Sequence, residues 1–200
     1  MADHQCHHGQ YLRTAVCNGF IYLCDNETLA GYNIRKNIWR VIKSEKVMLK
    51  FCALVGLQES IYVLGGYFEG RSLSSVNRYS QVSLWSAIKA MNVARQVPAA
   101  TAYGNRIFVA GGFDNGSLAS SEFYDPLIDS WTNLASMTVP RYSFCLSTAC
   151  SELFAIGGKE DRTRSIEKYN FESSRWEHLL NFPRNMNIAR VASLAFKLPQ

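Results

Sequence analysis

Ile107-Phe108-Val109-Ala110-Gly111-Gly112, then Ser121-Glu122-Phe123-Tyr124-Asp125 and then Trp131, is the stretch on which the fold turns. The first run is short, apolar and rich in β-branched and aromatic residues. It reads as a strand that stops where two glycines supply unusual backbone conformations. A polar loop leads to the second run, another short strand, after which Asp125-Pro126 opens a turn into a strand starting near Trp131. Ala99-Ala100-Thr101-Ala102-Tyr103, just upstream, supplies a fourth strand.

The same unit recurs. Glycine pairs stand at Gly65-Gly66, Gly111-Gly112 and Gly157-Gly158, in steps of 46 residues. The four tryptophans, Trp39, Trp85, Trp131 and Trp176, are 46, 46 and 45 residues apart, and Tyr32, Tyr79, Tyr124 and Tyr169 precede them by six or seven residues. The runs Ile61-Tyr62-Val63-Leu64 and Leu153-Phe154-Ala155-Ile156 match the first strand quoted. Four short strands per ~46 residues is the signature of a propeller blade.

A double glycine, then a tyrosine, then a tryptophan, in copies running from about Tyr11 to about Phe196, resembles the kelch-repeat family. Arg95, Arg141 and Arg190, ahead of the first strand of successive copies, resemble its pattern too. The resemblance implies an all-β, kelch-type β-propeller. Its four blades of four antiparallel strands are expected at about 11–47, 48–93, 94–139 and 140–185, with an extra strand at 187–196 and a disordered tail at 1–10. The glycines let blades approach closely, and each tyrosine and tryptophan is expected to fill the space between neighbouring sheets.

The first copy departs from the pattern. Cys24-Asp25 stand where the glycine pair belongs, and the shortened segment to Trp39 predicts a tight turn near Asn26 in place of a loop. At the other end Ile188 to Phe196 begins a repeat that is not continued. The propeller is therefore expected to be partial or open: a distorted four-bladed ring, a ring completed by another copy, or a shortened product of a longer protein. The unfinished repeat favours the last, and open blade edges allow self-association.

Composition excludes global disorder, since 48% of the 200 residues are hydrophobic and 18% charged. The net charge of +5 is too scattered to argue for nucleic acid. No apolar run is long enough to span a membrane, and no secretory signal is evident. Six cysteines without a CxxC pair favour free thiols, with Cys17 and Cys24 expected buried and inert. A cytoplasmic location is expected, with the nucleus as the alternative. Two glycosylation triplets, at Asn26 and Asn115, are then chance matches.

No catalytic motif is present: GxSxG, a phosphate-binding loop with its lysine, HExxH and GxGxxG are all missing. Histidine supply argues against a copper-oxidase propeller, and sialidase-type aspartate boxes are lacking. His4, Cys6, His7 and His8 could ligate a soft metal, but closely spaced ligands in a polar tail do not make a closed site. The expectation is no enzyme, no cofactor and no structural metal.

What remains is the loops after the glycine pairs, with Tyr67, Phe68 and Arg71, then Phe113, Asp114 and Asn115, then Arg162 and Arg164. Aromatic and arginine side chains are the types enriched at protein-binding hot spots. These loops are expected to form one binding face, with the loops around Asn92 and Thr138 on the opposite rim. The resemblance implies a non-enzymatic protein-interaction module like the substrate-recognition propeller of BTB-kelch ubiquitin-ligase adaptors, although nothing before Tyr11 could encode a BTB or BACK domain. The alternative is a cytoskeletal module, since other kelch proteins bind actin. The expected partner is a client protein or a cytoskeletal one, not nucleic acid or membrane.

Overall fold

The structure is a computed structural model that describes residues 12–42, 47, 49–159 and 164–183. The expected extra strand, Arg190 and the His4, Cys6, His7, His8 cluster lie outside these residues. The described residues form strands and no helix.

The first sheet holds β1 (Arg13–Cys17), β2 (Phe20–Cys24), β3 (Leu29–Asn33) and β4 (Ile38–Ile42). Next come β5 (Ala53–Leu57), β6 (Ser60–Leu64), a two-stranded ribbon of β7 (Tyr67–Phe68) and β8 (Arg71–Ser72), then β9 (Val76–Ser80) and β10 (Leu84–Ile88). The third sheet holds β11 (Ala99–Tyr103), β12 (Arg106–Ala110), β13 (Ser121–Asp125) and β14 (Ser130–Leu134). The fourth holds β15 (Cys145–Ala149), β16 (Glu152–Ile156), β17 (Ser165–Asn170) and β18 (Arg175–Asn181). Each four-stranded sheet is antiparallel, its strands lying side by side in chain order. The first strands of successive sheets, β1, β5, β11 and β15, pack one against the next and so form the hub.

The sheets meet face to face. In β6 Ile61 and Val63 point into a core shared with the first sheet, while Tyr62 and Leu64 point into one shared with the third. Burial on both faces is why these runs are apolar throughout instead of alternating. The tyrosine and tryptophan of each copy are direct cross-strand partners: Tyr32 opposes Trp39, Tyr79 Trp85, Tyr124 Trp131 and Tyr169 Trp176. Their ring centroids are 5.1 to 5.3 Å apart. The near-constant spacing in sequence is therefore the length of one hairpin.

Trp85, Trp131 and Trp176 each pack on the sheet that precedes theirs. The Trp131 indole N–H donates to the Lys89 carbonyl at 2.8 Å, and that of Trp176 to Ser121 Oγ at 3.1 Å. Trp131 and Trp176 are buried and Trp85 half-buried, but Trp39 is 55% exposed. The expectation that all four fill a space between sheets fails at Trp39, because no sheet precedes β1 among the described residues. No strand of the first sheet pairs with one of the fourth, so the described blades form an open array.

Register also decides which loops share a rim. Ala53 pairs with Leu64, Leu64 with Val76 and Val76 with Ile88, so the start of β5 and the ends of β6 and β10 lie at one edge of the sheet. The loops after the glycine pairs and the segments that lead from one blade into the next are thus neighbours. Asn92 and Thr138 belong to those lead-in segments and sit on the same rim as the glycine loops, which corrects their expected placement. The opposite rim carries the short turns at Gln58-Glu59 and Gln81-Val82-Ser83 and their counterparts.

Candidate partner-binding rim

Two features build this rim. The first is the glycine pair, where the lead-in segment crosses. Gly66 N–H donates to the Arg95 carbonyl at 2.8 Å, and Gly112 N–H to the Arg141 carbonyl at 2.9 Å. Gly111 has φ +57°, and a Cβ there would lie 2.3 Å from the Arg141 carbonyl oxygen, so no side chain fits. The second is the arginine itself. Arg95 Nη1 donates to the carbonyls of Gly111 and Ser120, both at 2.8 Å, and its Nη2 meets Glu122 at 3.0 Å. Arg141 repeats this with Gly157, Ser165 and Glu167. Backbone to the preceding blade and side chain to its own, each arginine fastens two blades together.

The glutamates are fully engaged. Glu122 accepts from the backbone N–H groups of Asn92 at 2.8 Å and Val93 at 3.3 Å, and Glu167 from those of Thr138 and Val139. Burial pulls both guanidinium groups below their ordinary pKa, and the facing carboxylate pulls them back up. Sequence reasoning found the arginines and missed the glutamates. The available signal was a Glu two residues before the tyrosine in each of the two copies that carry a described arginine.

Phe51, Val97 and Ser143, one per lead-in segment and 46 residues apart, all adopt positive φ, at 58°, 51° and 50°. Val97 N–H donates to the Phe51 carbonyl at 2.7 Å, and Ser143 N–H to the Val97 carbonyl at 3.4 Å, so a backbone chain links consecutive blades here. It holds the residues just upstream, Lys50, Gln96 and Tyr142, against the residues that follow the glycine pairs, Tyr67, Phe113 and Lys159. The backbone bonds are Tyr67 N–H to Lys50, Phe113 N–H to Gln96 and Lys159 N–H to Tyr142, at 2.8 to 2.9 Å.

Side chains of these residues form two clusters that, joined through Ser72, make a strip across three blades. Lys50 Nζ lies 5.5 Å from the Tyr67 ring centroid and 5.6 Å from that of Phe51. Phe113 meets Tyr142 edge-on at 5.6 Å, and Lys159 Nζ lies 5.9 Å from the Tyr142 ring. Ser72 Oγ donates to the Phe113 carbonyl at 3.0 Å, joining the second-blade ribbon to the third-blade loop. The ribbon's tip, with Glu69 at φ 45° and Gly70 at φ 83°, holds Phe68 and Arg71 exposed.

The residues singled out from sequence divide accordingly. Tyr67, Phe68, Arg71 and Phe113 belong to the strip or its ribbon. Asp114 is half-buried beside it, its backbone N–H bonded to the Gly116 carbonyl, and Asn115 is exposed at φ 54°. Arg164 turns back on its own blade, donating to the Pro183 carbonyl at 2.8 Å. Arg162 lies outside the described residues. Lys50, Phe51 and Tyr142 went unnoticed because they sit in lead-in segments, although Tyr142 directly follows one of the pattern arginines. In the first blade the turn is tight as expected: Asp25 Oδ1 accepts from the N–H groups of Glu27 and Thr28, which holds its carboxyl below the usual range.

The kelch motif matches residues 48–92, 98–138 and 140–179. No curated protein matches the chain. Among solved structures, that of YjhT superposes with a TM-score of 0.76 at 12% identity, covering 90% of this chain and 68% of that one. At that identity the likeness speaks for the fold. Three matched copies over most of the chain, on a structure of successive four-stranded blades, place it in the kelch-repeat family of β-propellers.

Proposed function

We propose that this chain is a protein-binding module that presents the rim strip to a partner. The observation that carries the reading is a pair of aromatic clusters edged by cations on one rim, Lys50 with Phe51 and Tyr67 and then Phe113 with Tyr142 and Lys159, joined through the Ser72 hydroxyl and the Phe113 carbonyl. Aromatic rings offer large contact area at small entropic cost, and the lysines and Arg71 favour an acidic segment on the partner. The buried carboxylates support binding over catalysis, because Glu122 and Glu167 spend their oxygens on arginine and backbone donors. The finer reading is a client-recognition propeller of the kind found in BTB-kelch ubiquitin-ligase adaptors.

Affinity capture with the chain, compared with a Phe68→Ala/Arg71→Ala/Lys159→Ala variant and read by mass spectrometry, tests this. The expected result is one or a few proteins with acidic stretches, lost from the variant and degraded faster when the chain is fused to a ligase-recruiting domain. Actin as the main captured species would replace the client reading with a cytoskeletal one. Equal capture by both forms would reject the strip as the binding surface.

A further inference from the structure

Asn115-Gly116 forms the tip of the third-blade loop, just beyond Phe113 of the strip. Asn115 is exposed, in left-handed backbone at φ 54°. Gly116 has nothing within 4 Å of the place a Cβ would occupy. Below the tip the loop is held by the single pair Phe113 and Ser117 and by the Asp114 N–H, which donates to the Gly116 carbonyl at 2.9 Å. When glycine follows asparagine, no side chain crowds the approach of the next backbone nitrogen to the side-chain amide carbon. The chain has a second such step, Asn18-Gly19, and it is built differently. Those two residues, at φ 46° and 74°, are the whole turn between β1 and β2 and are clamped by a ladder of five pairs. The Gly19 carbonyl also accepts from the Ile34 N–H at 3.1 Å. Bringing the Gly19 nitrogen onto Asn18 Cγ would twist that ladder, whereas the tip at Asn115 has only one pair beneath it.

We propose that Asn115 is a modification site that converts spontaneously to aspartate and isoaspartate and so weakens binding at the strip. The Gly116 nitrogen bonds to Asn115 Cγ, and the side-chain nitrogen leaves as ammonia with the proton of the Gly116 N–H. Water then opens the cyclic imide. Opening at the side-chain carbonyl gives aspartate, and opening at the main-chain carbonyl gives isoaspartate. One water is consumed and one ammonia released, with no oxidant or reductant. Either product sets a carboxylate next to Asp114 at the edge of the strip. Isoaspartate also inserts a methylene into the main chain of a loop whose Phe113 carbonyl accepts from Ser72. The consequence for binding rests on the function proposed above: the new charge repels the acidic segment that Lys50, Arg71 and Lys159 favour.

Ageing the full chain at mildly alkaline pH, followed by peptide mapping and an isoaspartate methyltransferase assay, is the test. The Asn115 peptide should gain the mass of an amide becoming an acid and split into two products, most of it converting before Asn18 does. Gly116→Ala, which the open space and the absence of a positive φ accommodate, should melt as the wild type does and convert several-fold more slowly. Asn115→Asp should bind a captured partner several-fold more weakly, with the loss shrinking as salt rises. An Asn115 that keeps its amide, an Asn18 that converts first, or a Gly116→Ala chain that converts as fast as the wild type would each overturn the site. Wild-type binding by Asn115→Asp would overturn its consequence. Failure of the strip itself shows separately, as equal capture by the Phe68→Ala/Arg71→Ala/Lys159→Ala variant, and the peptide map still decides the site.

Discussion

Arg95 and Glu122 meet at 3.0 Å with neither side chain exposed, and through them the lead-in segment of the third blade is tied to that blade's own β13. Removing one member of such a pair strands a buried charge and costs about 3–5 kcal/mol, whereas replacing both by residues that pack is far milder. The second blade shows the replacement, with Leu49 and Asn77 at the equivalent positions. Glu122→Gln should therefore lower the urea midpoint strongly, and Arg95→Leu/Glu122→Asn should recover most of the loss. Equal destabilisation by the single and double variants would show that the pair is not a coupled unit.

Trp131→Ala should cost about 3–5 kcal/mol through lost burial and the cavity left behind. Trp39→Ala, the same substitution at the same point of the repeat, should change the stability of the isolated monomer by no more than about 0.5 kcal/mol. Urea denaturation at high dilution measures both. Similar losses at the two sites would place a further sheet against Trp39 within one chain.

Gly111→Ala should destabilise by about 2–4 kcal/mol, since an added methyl meets the Arg141 carbonyl at 2.3 Å and the backbone is left-handed. Gly70, at φ +83° on the ribbon tip, has nothing within 4 Å of a Cβ, so Gly70→Ala should cost only about 1 kcal/mol. Thermal melts of the two variants read the difference.

The glycine pairs, tyrosines and tryptophans were legible because each is tied to one recurring constraint: a crossing too tight for a Cβ, and a cross-strand ring pair one hairpin apart. Trp39 was misread for the same reason. The repeat reports what a blade needs on average and not whether a neighbour is there to cover it. The positive φ at Phe51, Val97 and Ser143 left no trace in residue type, since it is imposed by hydrogen bonds between blades. The rim of Asn92 and Thr138 was misplaced because strand direction, which fixes it, depends on pairing order. The hydrogen bond from Arg164 to the Pro183 carbonyl was not legible either, because it joins a loop to the end of the blade's last strand.

Cys17 should make the fold sensitive to alkali. Burial first, and then the charge of Glu59, push its thiol from 9.0 up to about 11. Between those values the unfolded chain has lost the proton and the folded chain keeps it, so the unfolded state binds fewer protons and stability falls as pH rises. Cys17→Ala should flatten that part of the stability profile. In thiol labelling at pH 8, Cys150, which is exposed, should react at once, while the buried Cys17, Cys24, Cys52 and Cys145 wait for unfolding.

The most direct measurement is the affinity of a captured partner for the chain and for two surface variants, by biolayer interferometry at two salt concentrations. Phe68→Ala/Arg71→Ala/Lys159→Ala alters the strip at exposed positions, and Val82→Ser/Leu127→Ser alters the opposite rim at positions 92% and 81% exposed. Both variants should melt as the wild type does. The strip variant should bind on the order of tenfold or more weakly, with a reduced salt dependence of the association rate, and the opposite-rim variant should bind as the wild type. Loss of binding in the Val82→Ser/Leu127→Ser variant, with the strip variant unaffected, would contradict the account.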